Sequence, residues 1–495
     1  MRAGAALARF YRPAAAVEPI PDPQRVRTEW VRWRARMFFG FFVGYAVLYF
    51  CRKNISTALP VMAGDLGYSN TALGIVGSTL YVTYGLGKFV NGVLADRANV
   101  RAFLATALVV SGLCNLAFGS LSALWALAFA WGANGWFQSM GFPPIARGMT
   151  LWFPPTGKAT RWALWTCSHQ AGTAAVMAFT AWILGWGGWR WCFRLPGLIC
   201  IGLGLALWFV MRDTPASCGL PPLDPFPDRR RGPAEDEADY RATFVRLVLR
   251  NRNVWVIGFA DLFAYVVRFG SLDWVPKFLN EARGYEAGAA GFSSAIMPLF
   301  GVAGVLLAGL VADRVFRGRY RTVNAIAFAV LGLALFGFWS VGPGHPLLDL
   351  ALMAAVGFLV EVPQSILGAV AAVDAGGSAR IASASVGLVG ILAYIGATGS
   401  AVGTGSFVDA FGWDGAFYLW IGCAAAGLLL CLLVWKEPPA RTAGPERGGR
   451  SAPPHPPRSP HGRLAAESRA AVRAALPADG RPRAAAPDGP LGPPP

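Results

Sequence analysis

The chain has 495 residues, of which 55% are hydrophobic and 14% are charged, and its mean hydropathy is +0.44. Soluble domains carry about 25% charged residues, so this composition excludes a chain built around soluble cores. The net charge of +17 does not indicate a nucleic-acid partner, because the basic residues lie in short loops and at the two ends, between apolar runs. That distribution is typical of polytopic membrane proteins, whose partner is the lipid bilayer.

Twelve apolar segments are long enough to cross a bilayer, which takes about 20 helical residues. The predicted spans, numbered 1 to 12, cover residues 36–62, 71–96, 101–119, 122–152, 160–185, 191–211, 253–280, 288–313, 321–341, 347–374, 380–408 and 414–435. The eight cysteines form no CxxC pair and no Cys/His cluster. We therefore expect free thiols, no metal and no cofactor.

Basic residues in the short loops predict the orientation of the chain. They are concentrated after spans 2, 4, 8 and 10, whereas the loops after spans 1, 3, 9 and 11 have none. Positive loops face the cytoplasm, so we expect a protein of the cell (inner) membrane with both termini cytoplasmic. The predicted organisation is a cytoplasmic N-terminal segment (1–35), an N-terminal six-helix half (36–211), a cytoplasmic linker (212–252), a C-terminal six-helix half (253–436) and a disordered cytoplasmic tail (437–495).

Three features recur in the two halves at nearly one offset. GVLADR (92–97) returns as GLVADR (309–314), Arg52 in span 1 has a counterpart in Arg268 in span 7, and Gly-Trp at 188–189 recurs at 412–413. The fold class predicted is all-α, with twelve transmembrane helices in two pseudosymmetric six-helix halves. Such repeats place a substrate site between the halves, as in transporters.

The repeated motif follows spans 2 and 8, at the cytoplasmic surface. Its charges could clamp helix ends in one conformation of an alternating-access cycle, or could serve only to set the topology. The candidate gating residues are Asp96, Arg97, Arg101, Asp313 and Arg314.

Arg52 and Arg268 lie inside predicted spans, where an ionisable side chain costs about 3 kcal/mol and faces a cavity or a partner. Two guanidinium groups facing one cavity repel each other unless an anion joins them. A phosphate suits this role, because each planar guanidinium can donate two hydrogen bonds to its oxygens. Alternatively, each arginine neutralises a local carboxylate, such as Asp261 or Asp273.

Other polar residues inside the spans are candidates for the same cavity. Lys88 interrupts span 2, and His169 in span 5 could donate to a ligand or change its charge near neutral pH, or could simply be a packing residue. Four tyrosines lie near these cations in the sequence, and their hydroxyls could bind a substrate or serve packing. They are Tyr45, Tyr49, Tyr84 and Tyr265.

The motif GVLADR with Arg101 is similar to the loop signature of the major facilitator superfamily. More specifically, GYAVLYFCRKN (44–54) resembles span 1 of its organophosphate:phosphate antiporters. Further similar segments are GLGKFVNGVLADRANVRAFL (85–104), NGWFQSMGFPP (134–144), WTCSHQAG (165–172), MRDTPASCGLPP (211–222), YVVRFGSLDWVPKFLNE (265–281), ADRVFRG (312–318) and VDAFGWDGAF (408–417). The likeness spans residues 32–436 and is greatest to the glycerol-3-phosphate branch.

This resemblance implies exchange of glycerol-3-phosphate for inorganic phosphate. We expect the protein to function as a monomer. We do not expect an enzyme, because the sequence has no GxxxxGK(S/T) loop, metal-ligand cluster or nucleophile constellation. The resemblance also implies that Arg52 and Arg268 bind phosphate, that Lys88 and His169 are an accessory cation and histidine, and that the four tyrosines surround the cavity. A hexose-6-phosphate antiporter or a sugar-phosphate receptor acting on a histidine kinase are alternatives. A proton-coupled symporter, with Glu361 or Asp273 as the carrier, is a third.

Three positions depart from the pattern of the antiporters. Thr166 stands where Asn is expected, Pro298 lies near an expected acidic residue, and Glu361 replaces Tyr in span 10. Glu361 could be the partner of a cavity cation or could select a polyol through its hydroxyls. We therefore include Glu361 among the substrate-binding residues.

Overall fold

The computed structural model describes residues 10–95, 98–154, 158–221, 245–316, 319–371 and 382–434. Its α-helices are α1 (Pro23–Leu48), α2 (Asn54–Leu66), α3 (Asn70–Ala95), α4 (Val100–Phe118), α5 (Leu124–Gln138), α6 (Phe142–Trp152), α7 (Lys158–Val210), α8 (Arg252–Arg283), α9 (Ala287–Ser294), α10 (Ile296–Arg314), α11 (Tyr320–Ser340), α12 (Pro346–Ser365) and α13 (Ala382–Leu429). Short 3-10 or π-helical turns lie at Tyr49–Cys51, Pro215–Cys218, Val245–Leu249, Ile366–Ala371 and Leu430–Val434. The all-helical class is confirmed for these ranges. Most of the predicted linker and all of the predicted tail lie outside them.

Eight helical stretches in the described ranges are long and apolar enough to cross a membrane. Two of these stretches contain the sharp kinks of α7 and α13 and therefore hold two predicted spans each. The remaining two predicted spans are helical as well, since α3 covers span 2 and α5 with α6 covers span 4.

The repeated Gly-Trp pair marks the same turn in both halves. Gly188 has φ 68° and Gly412 has φ 67°, and each interrupts a long helix between two predicted spans. Glycine adopts such positive φ angles without steric strain, so it can turn the chain directly from one span into the next.

The helix of span 1 extends beyond the predicted span at both ends and is interrupted in the middle. Asp22 caps α1 and Pro23 begins it, so the helix starts inside the segment 1–35 that was predicted to precede the spans. The helix then breaks at Tyr49–Cys51 and resumes as α2, which ends at the left-handed Gly67. The corresponding part of span 7 lies within the continuous helix α8. The two halves are therefore not identical around Arg52 and Arg268.

Large apolar side chains cover the outer surface of the helices. Leu347, Phe129, Trp125 and Phe209 are each more than 70% exposed. An apolar surface of this kind is stable against lipid rather than water. All eight cysteines lie in the described part of the chain, and none of them forms a disulfide bond.

Candidate functional site

The break in span 1 positions Arg52. It frees the carbonyl of Cys51, and the amide groups of Asn134 and Asn115 donate to that oxygen over 2.6 Å and 3.1 Å. Neighbouring side chains thus replace the lost helical hydrogen bonds, which makes an irregular backbone tolerable inside a membrane. Arg52 follows this break with a non-helical φ of −127° and points into the space between the halves.

Aromatic rings surround the Arg52 side chain, which is 4% exposed. Its guanidinium carbon lies 4.4 Å from the ring centre of Tyr84, 5.3 Å from that of Tyr49 and 5.8 Å from that of Tyr81. Rings at these distances attract a cation through their negative faces. The buried Nε of Arg52 has no hydrogen-bond partner among the described residues. It is therefore available as a donor.

Arg268 has a carboxylate partner inside the protein. Its Nε donates to Oε1 of Glu361 over 2.6 Å, and both side chains are at least nine-tenths buried. The sequence left two roles open for Glu361, and this ion pair corresponds to the first of them, that of partner to a cavity cation. Neither Asp261 nor Asp273 forms an ion pair with Arg268 in the described part of the chain.

The two arginines lie near the same side chains. Tyr49 and Lys53 each lie within the electrostatic range of both guanidinium groups. Tyr394 of α13 completes the enclosure, since its ring lies 5.1 Å from that of Tyr84 and 5.9 Å from that of Tyr265. The name central site is used below for Arg52, Arg268 and Glu361 together with the side chains around them, which are Tyr49, Lys53, Tyr84, Tyr265 and Tyr394.

The remaining predicted residues lie around the central site. The His169 ring is 5.7 Å from Tyr49, and the Tyr45 ring is 5.6 Å from Tyr49. Lys88 is exposed, and its Nζ lies 5.4 Å from the ring centre of Tyr394. The structure thus brings together all nine residues predicted to bind substrate, although their roles remain predictions.

A second cluster joins the halves next to the central site. The ammonium group of Lys53 pairs with Oδ1 of Asp273, and Ser56 donates to the same oxygen over 3.0 Å. Tyr81 donates to Oδ2 of Asp273 over 2.5 Å. Three residues of the N-terminal half therefore hold one carboxylate of the C-terminal half. We call these four residues the Asp273 network.

A third contact joins the two halves near the turn at Gly67. We call the end of the molecule that contains this turn the Gly67 side. Asp409 of α13 accepts hydrogen bonds from the backbone N–H groups of Asn70 and Thr71, and from both of their side chains, over 2.7 to 3.1 Å. A carboxylate at a helix N-terminus satisfies free N–H groups and interacts favourably with the helix dipole. Asp409 thus caps α3 from the opposite half.

Small residues allow the helices to approach closely here. A side chain at Gly74 would begin 2.4 Å from the carbonyl oxygen of Ala401, and one at Gly405 would begin 2.3 Å from that of Asn70. Neither position can therefore accept a larger residue without separating α3 from α13.

Replacing Asp409 with Ala is expected to favour the conformation in which the two halves are separated on the Gly67 side. Loss of a helix cap costs about 1 kcal/mol, which corresponds to about a fivefold change in the ratio of open to closed molecules. Spin labels at Gly64 and Ala410, both exposed, would report the ratio as two distances by pulsed EPR.

Asp414→Ala is the matched control for this substitution, because Asp414 accepts from Trp339 within a single half. An unchanged distance distribution in Asp409→Ala would show that this contact does not contribute to closure.

The predicted gating residues remain largely undescribed. Asp96 and Arg97 lie outside the described residues, as does the side chain of Asp313. Arg314 is exposed, and the guanidinium carbon of Arg101 lies 4.2 Å from the ring centre of Trp208 in its own half. Their role in gating stays a prediction.

Sequence reasoning assigned no site role to four residues that the structure places at or beside the central site, namely Lys53, Tyr81, Tyr394 and Gln170. Tyr81 shares one face of α3 with Tyr84 and Lys88, at spacings of three and seven residues, so helical periodicity could have found it. Tyr394 and Gln170 carried no such signal, because their neighbours come from distant parts of the chain.

Comparison with known proteins gives the class of this molecule. The model of the Major Facilitator Superfamily matches residues 41–398. The chain belongs to this superfamily. It is a membrane transport protein and not an enzyme.

The names of its relatives agree with the resemblance to organophosphate transporters. The chain is 36% identical to a probable hexose phosphate transport protein of Chlamydia pneumoniae, over 86% of this chain and 96% of that protein. It is 32% identical to the glycerol-3-phosphate transporter of Bacillus subtilis (86% and 97%), and 30% identical to the membrane sensor protein UhpC of Escherichia coli (86% and 97%).

A solved structure is similar in fold alone. A bacterial homolog of the human lysosomal transporter Spinster, in an inward-facing and unoccupied conformation, matches with a TM-score of 0.67 at 16% identity, over 81% of this chain and 97% of that chain.

Proposed function

We propose that this protein exchanges an organophosphate for inorganic phosphate across the inner membrane by alternating access, as a monomer with both termini in the cytoplasm. The observation that carries the proposal is the placement of Arg52 and Arg268. They come from opposite halves, are buried around one aromatic enclosure, and Arg52 has an unused donor. A phosphate group can accept hydrogen bonds from two planar guanidinium groups at once.

Electrostatics favour exchange over one-way transport. An anion that bridges both arginines joins the two halves through hydrogen bonds and stabilises the closed conformations between the two open ones. A ligand shifts such an equilibrium only through its different affinities for the states, so the bridged geometry must be better in the closed state. After the organophosphate is released, the protein therefore returns through the closed conformations fastest with another anion bound. Inorganic phosphate is that anion.

Glu361 adjusts this mechanism. In the structure its carboxylate occupies one donor of Arg268, so a phosphate must bind the other donors of that guanidinium or displace Glu361. Because like charges repel, Glu361 disfavours substrates with a second anionic group beyond the phosphate. The proposed substrates are therefore phosphate monoesters whose organic group carries no charge.

Glycerol-3-phosphate is the substrate that the sequence favours, through the segments 211–222 and 265–281. The relative named as a hexose phosphate transport protein has a higher identity than the one named as a glycerol-3-phosphate transporter, at 36% against 32%. A hexose 6-phosphate is accordingly the second candidate, and direct competition separates the two.

Counterflow in proteoliposomes tests the proposal. Vesicles loaded with phosphate receive labelled phosphate outside, with unlabelled glycerol-3-phosphate or glucose 6-phosphate as competitors. Exchange that is inhibited by either compound supports antiport, and the stronger inhibitor identifies the substrate. Ligand binding by the purified protein without any exchange would contradict antiport and would favour a receptor.

A further inference from the structure

Two buried side chains from opposite halves have unused hydrogen-bonding atoms at the edge of the central site. Gln170 of α7 and Glu361 of α12 are each 1% exposed. The amide nitrogen Nε2 of Gln170 and the carboxylate oxygen Oε2 of Glu361 have no partner among the described residues. A buried polar atom without a partner costs about 1–3 kcal/mol, so such atoms point to a missing ligand or water.

Both side chains lie against the same glycine. A Cβ atom at Gly301 of α10 would lie 3.2 Å from Nε2 of Gln170 and 3.2 Å from Cγ of Glu361. Glycine at this position lets an amide from one half and a carboxylate from the other approach the same point of α10. The two groups do not hydrogen-bond to each other, although each could satisfy the other if they met.

The chemistry of the two atoms defines what fits between them. The amide nitrogen can only donate, and an ionised carboxylate can only accept. A hydroxyl group does both, so a single hydroxyl satisfies the two atoms together. Glu361 also bonds Arg268 through its other oxygen, which places this hydroxyl beside the proposed phosphate position.

We infer that Gln170 and Glu361 form a subsite for a hydroxyl group on the carbon skeleton of the substrate. This inference rests on the proposed function and narrows it to phosphate esters of polyols and sugars. Inorganic phosphate and alkyl phosphates lack a carbon-bound hydroxyl and gain nothing from the subsite.

The test compares three esters as inhibitors of labelled phosphate exchange: glycerol-3-phosphate, glucose 6-phosphate and n-propyl phosphate. In the unmodified protein we expect one hydroxylated ester to inhibit at a concentration about tenfold lower than n-propyl phosphate does. Gln170→Met keeps the length of the side chain and removes the donor, so it should abolish this preference. The readout is the ratio of the two inhibitory concentrations in one protein, which does not depend on the rate of phosphate exchange itself.

Thr173→Val is the matched control, because Thr173 is buried in the same helix and, among the described residues, its hydroxyl bonds the carbonyl of His169 alone. It should leave the preference intact. Gly301→Ala is a second variant, whose added methyl group would press against both side chains and should also remove the preference. If neither variant folds, thermal stabilisation of the unmodified protein by the three esters gives the same ranking.

The outcomes separate the two proposals. Normal phosphate exchange with an unchanged preference in Gln170→Met would overturn the subsite and leave the antiport mechanism standing, with the two atoms binding water. Absence of phosphate exchange in the unmodified protein would overturn the antiport mechanism. In that case, greater thermal stabilisation by the hydroxylated esters than by n-propyl phosphate would support the subsite. Equal stabilisation would overturn it.

Discussion

Replacing Arg268 with Lys is expected to reduce phosphate exchange at least a hundredfold while the protein still inserts into the membrane. Lysine keeps the positive charge and can still pair with Glu361, but its ammonium group cannot offer the two parallel donors of a guanidinium. A phosphate would then be held by Arg52 alone, and the closed state would lose its bridge. Proteoliposome exchange at equal protein density measures the effect.

The control for this substitution lies in the same helix. Arg283 is also buried, and it donates to the carbonyl of Phe338 near Asp349, away from the central site. Arg283→Lys should keep at least half of the exchange rate. Substantial exchange in Arg268→Lys would disprove the two-arginine mechanism, because a single guanidinium would then suffice.

Breaking the Asp273 network is expected to produce the largest change in conformation. Lys53→Met leaves the partly buried carboxylate of Asp273, which is 15% exposed, without its charged partner. This loss costs about 3 kcal/mol, the lower end of the range for buried pairs. The pair joins opposite halves, so the cost falls on the closed state alone. The ratio of open to closed molecules should therefore rise about a hundredfold, measured by pulsed EPR with the labels at Gly64 and Ala410.

A double replacement separates pairing from general damage. Lys53→Met with Asp273→Asn removes both charges, so it should restore much of the closed population that either single change loses. Lys277→Met is the control, since Lys277 pairs with Glu281 within α8. Additive effects of the two single changes would show that the pair does not hold the halves together.

The sequence predicted the helical class and the repeated halves because both depend on local patterns. Long apolar runs mark spans, and the Gly-Trp pairs mark the same turn twice. The helix start at Pro23 was not predicted, since residues 23–35 contain many arginines and do not read as a membrane span. The break at Tyr49–Cys51 was missed because its support comes from Asn115 and Asn134, far away in the chain.

The residues of the candidate site were predictable from the sequence, but the ion pairs among them were not. Rare charges inside apolar spans singled out Arg52, Arg268 and Glu361 before any coordinates. Which carboxylate pairs with which cation is a property of helix packing. Arg268 pairs with Glu361, and Asp273 pairs with Lys53, although either aspartate of α8 was an equally reasonable partner for Arg268 from sequence.

The central claim is that one phosphate group binds both Arg52 and Arg268. A cryo-EM structure of the protein in saturating phosphate tests it most directly. We expect density for one tetrahedral anion, with oxygens within hydrogen-bond distance of both guanidinium groups. A phosphate bound only near Lys88, or an empty central site, would contradict the mechanism.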